Sequence, residues 1–82
     1  MTSRKETVAI VTGGAKSIGS AISEHLAKAG HRVVIFDVDS TAGENLSAEL
    51  NEQGYPSDFF TVDLSDVENI RTGIEKVREK YG

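Results

Sequence analysis

Two short, unbroken apolar runs and a third strand-like run alternate with stretches of helical periodicity along this chain, and that alternation leaves few folds open. Val8, Ala9, Ile10 and Val11 form the first run, which ends at Gly13 and Gly14. Val33, Val34, Ile35 and Phe36 form the second, inside the segment Arg32 to Asp37, and Phe59, Phe60, Thr61 and Val62 form the third, which reaches Asp63. A strand with one wet face alternates apolar and polar residues. A continuous β-branched and aromatic run instead suits a strand buried on both faces, as in a parallel sheet covered by helices.

The segments between the runs read as helices. Ile18, Ala21, Ile22, Leu26 and Ala29 recur at helical spacing, and Gly30 stands where a left-handed C-cap closes such a helix. Asp39 or Ser40 can cap a second helix carrying Ala42, Leu46 and Leu50, with Gly54 just past its end. Ser65 and Glu68 have the S-x-x-E spacing of a capping box, which predicts the start of a third helix there. Its predicted stripe is Val67, Ile70, Ile74, Val77 and Tyr81, and Gly73 inside it costs about 1 kcal/mol relative to alanine.

The resulting order, βαβαβα with short links, predicts an α/β fold whose parallel sheet has strand order 3-2-1. The 82 residues read as one unit, the first part of such a sheet, cut before a fourth strand. One edge of the first strand is then unpaired, which predicts self-association and a homo-oligomer.

Composition narrows the function. With 38% hydrophobic and 27% charged residues the chain is ordinary for a globular protein. A net charge of -4 and scattered basic residues argue against nucleic acid or an anionic membrane as partner. The absence of cysteine excludes disulfides and thiolate chemistry, and the polar start followed by a four-residue apolar run predicts neither export nor a membrane span. The expected location is cytoplasmic. His25 and His31 read as structural or solvated, and the acidic pairs Asp37 with Asp39 and Asp63 with Asp66 lack metal-ligand spacing, so no metal site is expected.

The chemistry concentrates in Thr12-Gly13-Gly14-Ala15-Lys16-Ser17-Ile18-Gly19, placed between a buried strand and an amphipathic helix. Backbone N–H groups and the helix dipole favour an anion at such a place. Gly13 can turn sharply off the strand, and Gly19 can let the helix approach the sheet closely. The rival phosphate loop G-x-x-x-x-G-K-[ST] fails, because Ile10 and Ala15 occupy its two glycine positions. Asp37 ends the second strand roughly 20 residues further on, where an acidic side chain can accept hydrogen bonds from the ribose of a dinucleotide. Taken alone it also reads as a strand-end aspartate that caps the next turn, and Asp63 reads equally as a neighbour of a helix cap.

The motif resembles that of the short-chain dehydrogenase/reductase family, T-G-x-x-x-G-x-G after the first strand of a Rossmann-type fold. Thr12, Gly13 and Gly19 match it, and Ser17 replaces the middle glycine, bringing a hydroxyl that can donate to a phosphate oxygen. The resemblance implies a cofactor site made by Thr12, Gly13, Lys16, Ser17, Ile18, Gly19, Asp37, Val38, Asp63 and Leu64. In it Asp63 and Leu64 correspond to a D-[VL] pair that meets adenine through the carboxylate and the following N–H. Asp37 implies NAD as cofactor. NADP is less favoured, although Lys16 stands where NADP-using relatives carry a basic residue.

The family's Y-x-x-x-K pair and N-N-A-G segment do not occur in the 82 residues. The chain is therefore expected to be catalytically inactive alone. It reads as the N-terminal portion of an oxidoreductase acting on a small carbonyl or secondary alcohol substrate, similar in pattern to 3-oxoacyl-carrier-protein reductases. The other reading is a stand-alone, non-catalytic dinucleotide-binding or assembly module, and the reading frame past Gly82 separates the two.

Overall fold

A computed structural model describes residues 7–13 and 16–81. The chain runs β1 (Val8–Thr12), α1 (Ser17–Lys28), β2 (Arg32–Asp37), α2 (Ser40–Glu52), β3 (Ser57–Thr61) and α3 (Val67–Tyr81). The strands pair in parallel with β2 in the middle, which is the predicted 3-2-1 order of a Rossmann-type sheet. Val11 lies opposite Ile35 and Thr12 opposite Phe36, while Ile35 lies opposite Phe59 and Asp37 opposite Thr61. All three carboxyl ends therefore emerge along one edge.

The unbroken run in β2 has the meaning its composition suggested. Val33, Val34, Ile35 and Phe36 are each at most 1% exposed. Their side chains alternate between two cores, since successive strand residues point to opposite faces. Val33 and Ile35 join Val11, Ala27, Leu46 and Leu50 under α1 and α2. Val34 and Phe36 join Val62 and Val77 under α3. Full burial of each such side chain contributes about 1.5–3 kcal/mol relative to exposure, which makes β2 the main source of cohesion. The first two helices thus share a face, and the chain changes face after β3.

Helix α2 buries Leu46 and Leu50 as predicted, whereas α1 and α3 meet the sheet partly through other residues than the predicted stripes. In α1 the buried side chains are Ser23 and Ala27, with Leu26 half-buried, whereas Ile18 and Ile22 are exposed. Gly19, Ser23 and Ala27 lie four residues apart, so small side chains face the strands and the axis can approach closely. The Ser23 hydroxyl is absorbed locally, donating to the Gly19 carbonyl at 2.9 Å. In α3, Gly73 and Val77 are buried while Val67 and Ile74 are exposed. A Cβ at Gly73 would stand 2.9 Å from a Val62 methyl and 3.2 Å from the Phe36 ring. The glycine that looked like a defect is the contact that seats α3.

Helix ends follow local chemistry. Both α1 and α2 finish in Schellman motifs: Gly30 N–H reaches Ala27 C=O with His31 N–H on Leu26 C=O, and Gly54 N–H reaches Asn51 C=O with Tyr55 N–H on Leu50 C=O. The start of α3 departs from the predicted capping box. Asp66 carries the cap, its Oδ1 accepting from Glu68 N–H and Asn69 N–H at 3.0 and 3.3 Å, and Ser65 is held instead by Asp63. An aspartate one residue closer to the apolar stripe outcompetes the serine because its carboxylate is the stronger acceptor. The strand β3 ends at Thr61, one residue short of the predicted run, and Val62 continues the ladder by donating to Asp37 C=O at 3.1 Å.

The amino ends of the strands are tied to the end of α3. Arg32 reaches Asp58 at 3.4 Å and the Tyr81 hydroxyl at 3.3 Å, and its guanidinium lies 4.8 Å from the Tyr81 ring centroid. Lys80 pairs with the other Asp58 oxygen at 3.1 Å. At the outer side of β3, the Asn51 amide bonds both N–H and C=O of Ser57 at 3.0 Å, which covers part of that edge. No helix among the described residues is long and apolar enough to cross a membrane.

Two outcomes follow from this packing. Gly73→Val should lower stability by about 2 kcal/mol through overpacking against Val62 and Phe36, read as a lower urea midpoint. Prepared as an 82-residue polypeptide, the chain should self-associate through the β1 edge, where Ile10 is 39% exposed. A monomeric sedimentation profile at micromolar concentration would contradict this.

Candidate functional site

The site is built from the carboxyl edge of the sheet upward. Leaving β1, Gly13 takes a left-handed φ of 64° and its N–H donates to Phe36 C=O at 2.7 Å, which sets the direction in which the chain turns away. A Cβ there would meet nothing within 4 Å, so the glycine answers a backbone need. Gly14 and Ala15, the centre of the predicted bend, lie outside the described residues.

The chain re-enters at Lys16, the N-cap of α1, in extended conformation and with no side chain capping the helix. This contrasts with α2, where Asp39 Oδ1 accepts from Ala42 N–H at 3.0 Å, and with the Asp66 cap of α3. The N–H groups of an α-helix's first turn have no intrahelical partners, and they carry the positive end of its dipole. At α1 no side-chain cap is made among the described residues. Ser17 has a φ of 53°, left-handed for a residue with a Cβ. This is the position of the missing middle glycine, and the backbone there lies in the region that favours glycine. Such strain costs about 1–2 kcal/mol and is held where surrounding structure enforces it.

Asp37 emerges from the end of β2 beside this turn. Its Oδ1 accepts from Asp39 N–H at 3.0 Å, which fixes the carboxylate at the edge of the sheet. Asp63 follows β3 in the same way, with its Oδ1 accepting from Ser65 N–H at 2.9 Å and from the Ser65 hydroxyl at 2.6 Å. These bonds hold the Asp63 carboxyl below the usual carboxylate range. The Asp63 N–H in turn donates to the Asn69 side chain. Val38, Leu64 and Ile18 follow the three strand ends and are 61%, 44% and 78% exposed. Apolar side chains left in water at the mouth of a polar loop form ready walls for a flat, partly apolar ligand.

One pairing was not foreseen in the sequence. Lys16 Nζ lies 3.0 Å from Asp39 Oδ2. The Ala42 N–H and the Lys16 ammonium depress the Asp39 carboxyl, and Asp39 in turn raises the Lys16 ammonium above the ordinary lysine value. The two residues are 23 positions apart in sequence (39 minus 16), so only the β1–β2 register brings them together. The D-x-D spacing of Asp37 and Asp39 was the available signal, but it gave no hint of a lysine partner.

The structure thus gathers Thr12, Gly13, Lys16, Ser17, Ile18, Gly19, Asp37, Val38, Asp63 and Leu64 at the carboxyl ends of β1, β2 and β3 and the start of α1. His25 lies in the last turn of α1 and His31 in the turn after it, at the other end of the sheet. The donor chemistry fits a dinucleotide: uncapped amides and positive backbone dipole for a diphosphate, a fixed carboxylate for a diol and apolar walls for a ring. Open α/β sheets bind ligands at this edge in general.

A profile of the short chain dehydrogenase family matches residues 7–82. The chain therefore belongs to that family, whose members bind NAD(P). It is 37% identical over 75 residues to an uncharacterized oxidoreductase of Thermotoga maritima, covering 92% of this chain and 29% of that protein. Against bovine 15-hydroxyprostaglandin dehydrogenase (NAD+), identity is 38% over 77 residues, again 92% of this chain and 29% of the relative. A crystal structure of a metagenomic short-chain oxidoreductase in complex with NADP superposes with a TM-score of 0.90 at 29% identity, covering 95% of this chain and 35% of that one. The chain thus spans about three-tenths of the length of the relatives it matches.

The strained serine gives a direct check. Ser17→Gly should raise stability by about 0.5–1 kcal/mol, since relief of the left-handed φ exceeds the added entropy of the unfolded chain. The urea midpoint should move up; a fall would show that Ser17 makes a contact worth more than its strain.

Proposed function

We propose that this chain is the N-terminal, NAD-binding portion of an oxidoreductase that transfers hydride between a nicotinamide cofactor and a carbonyl or secondary alcohol. The observation that carries this reading is the pairing, at one edge of the sheet, of an uncapped α1 N-terminus with the Asp37 carboxylate. Membership of the family supplies the reaction class.

In this reading Ser17, Ile18 and Gly19 present backbone amides to the diphosphate, Gly13 makes the turn off β1 that leads to them, and the Ser17 hydroxyl donates to a phosphate oxygen. Asp37 accepts hydrogen bonds from the adenosine ribose hydroxyls, and its negative charge disfavours a 2′-phosphate. Asp63 accepts from the adenine amino group while the Leu64 N–H donates to a ring nitrogen, with Val38 and Leu64 as apolar walls. The nicotinamide ring, when bound, supplies or takes the hydride. Proton transfer to the substrate oxygen needs a positioned acid, and no Y-x-x-x-K spacing occurs in these 82 residues, so that role is assigned to the rest of the full-length protein.

In the full-length protein, Asp37→Ala should weaken NAD binding by roughly 10- to 100-fold, the worth of a lost charged hydrogen bond. NADP should be affected far less. Calorimetric titration with both nucleotides measures this, and equal losses would remove the discriminating role of Asp37.

A further inference from the structure

The Lys16–Asp39 ion pair has a consequence for nucleotide choice that Asp37 alone does not explain. Lys16 stands at the entrance to the α1 turn, and its side chain is 61% exposed. A cation in that place, beside the end of β2, would attract an extra phosphate on the ribose. The structure instead engages it: Nζ is 3.0 Å from Asp39 Oδ2, while Asp39 Oδ1 is fixed by Ala42 N–H. The backbone N–H of Asp39 is itself bound to Asp37 Oδ1, so the three charged residues form one connected group with two carboxylates and one ammonium.

We propose that Asp39 is a specificity-determining residue, which selects the unphosphorylated ribose by holding Lys16 away from a 2′-phosphate. The inference rests on the dinucleotide-binding reading above. A 2′-phosphate carries about -1.5 to -2 charge at neutral pH and must displace Asp39 from Lys16 before it gains a cation. It would then face Asp37 and a newly unpaired Asp39. A ribose diol meets no such competition, because it needs acceptors and leaves the ion pair intact. The raised Lys16 ammonium, driven mainly by Asp39 with a smaller push from Asp37, is consistent with both carboxylates lying close to it.

Two substitutions separate the charge of Asp39 from its capping role. Asn and Ser cap a helix about as well as Asp, and neither holds a lysine by charge. In the full-length protein, Asp39→Asn and Asp39→Ser should each shift the ratio of the NADP and NAD dissociation constants toward NADP by about tenfold, measured calorimetrically. Adding Lys16→Met to either variant should abolish the shift. A ratio unmoved in both variants overturns the proposal, as does a shift that survives Lys16→Met, which would trace it to net charge alone. Wild-type protein binding neither nucleotide would overturn the underlying reading, whereas wild-type binding with an unmoved ratio overturns only the role of Asp39.

Discussion

Burial of β2 on both faces fixes where any functional side chain in this chain can emerge. Val33 to Phe36 are sealed between α1 and α2 on one side and α3 on the other, so no group along the strand reaches solvent until Asp37. The parallel register then places the ends of β1 and β3 beside that point, with Thr12 opposite Phe36 and Thr61 opposite Asp37. The polar chemistry is confined to strand ends because the core permits none elsewhere. A side chain that would form a site mid-strand would have to be buried, and an unpaired polar group there costs several kcal/mol.

The same sealing explains which parts of the fold were legible in sequence. Unbroken apolar runs named the strands and their parallel pairing, and Gly30 and Gly54 marked helix ends through backbone chemistry that glycine serves. The inward faces of the helices were less legible. Hydrophobic periodicity pointed to Ile18 and Ile22 in α1, but close approach to a flat sheet favours small side chains, and Ser23 and Ala27 took the interior. Gly73 misled for the same reason, since a low helix propensity is visible in sequence and the 2.9 Å that would separate an added Cβ from a Val62 methyl is not. Of the candidate site, the motif and the strand ends gave the residues proposed for it, whereas the Lys16–Asp39 pair needed the register.

The caps show how one choice of residue divides structural from functional helix ends. Asp39 and Asp66 satisfy the first-turn amides of α2 and α3 within the chain, which neutralises those dipoles as binding features. At α1 the N-cap is Lys16, which has no acceptor to offer. A lysine at that position is a poor choice for an isolated helix. It is a sound one where the amides must meet an anion, and the tertiary core supplies the stability that a cap would otherwise add.

The strand-end aspartates bear on an ambiguity that sequence left open. Asp37 and Asp63 each read either as turn-forming residues or as ligand acceptors, and the structure shows the turn role directly: each Oδ1 takes the N–H two residues on. The two roles reinforce one another. A turn bond of this kind fixes the carboxylate's orientation, and a carboxylate has about four acceptor sites in all. An acceptor that is already oriented loses less rotamer entropy when it meets a hydroxyl or an amino group, and a site made of such residues is organised before any ligand arrives. The local rule that shapes the loop after each strand is therefore compatible with the recognition role proposed for that loop.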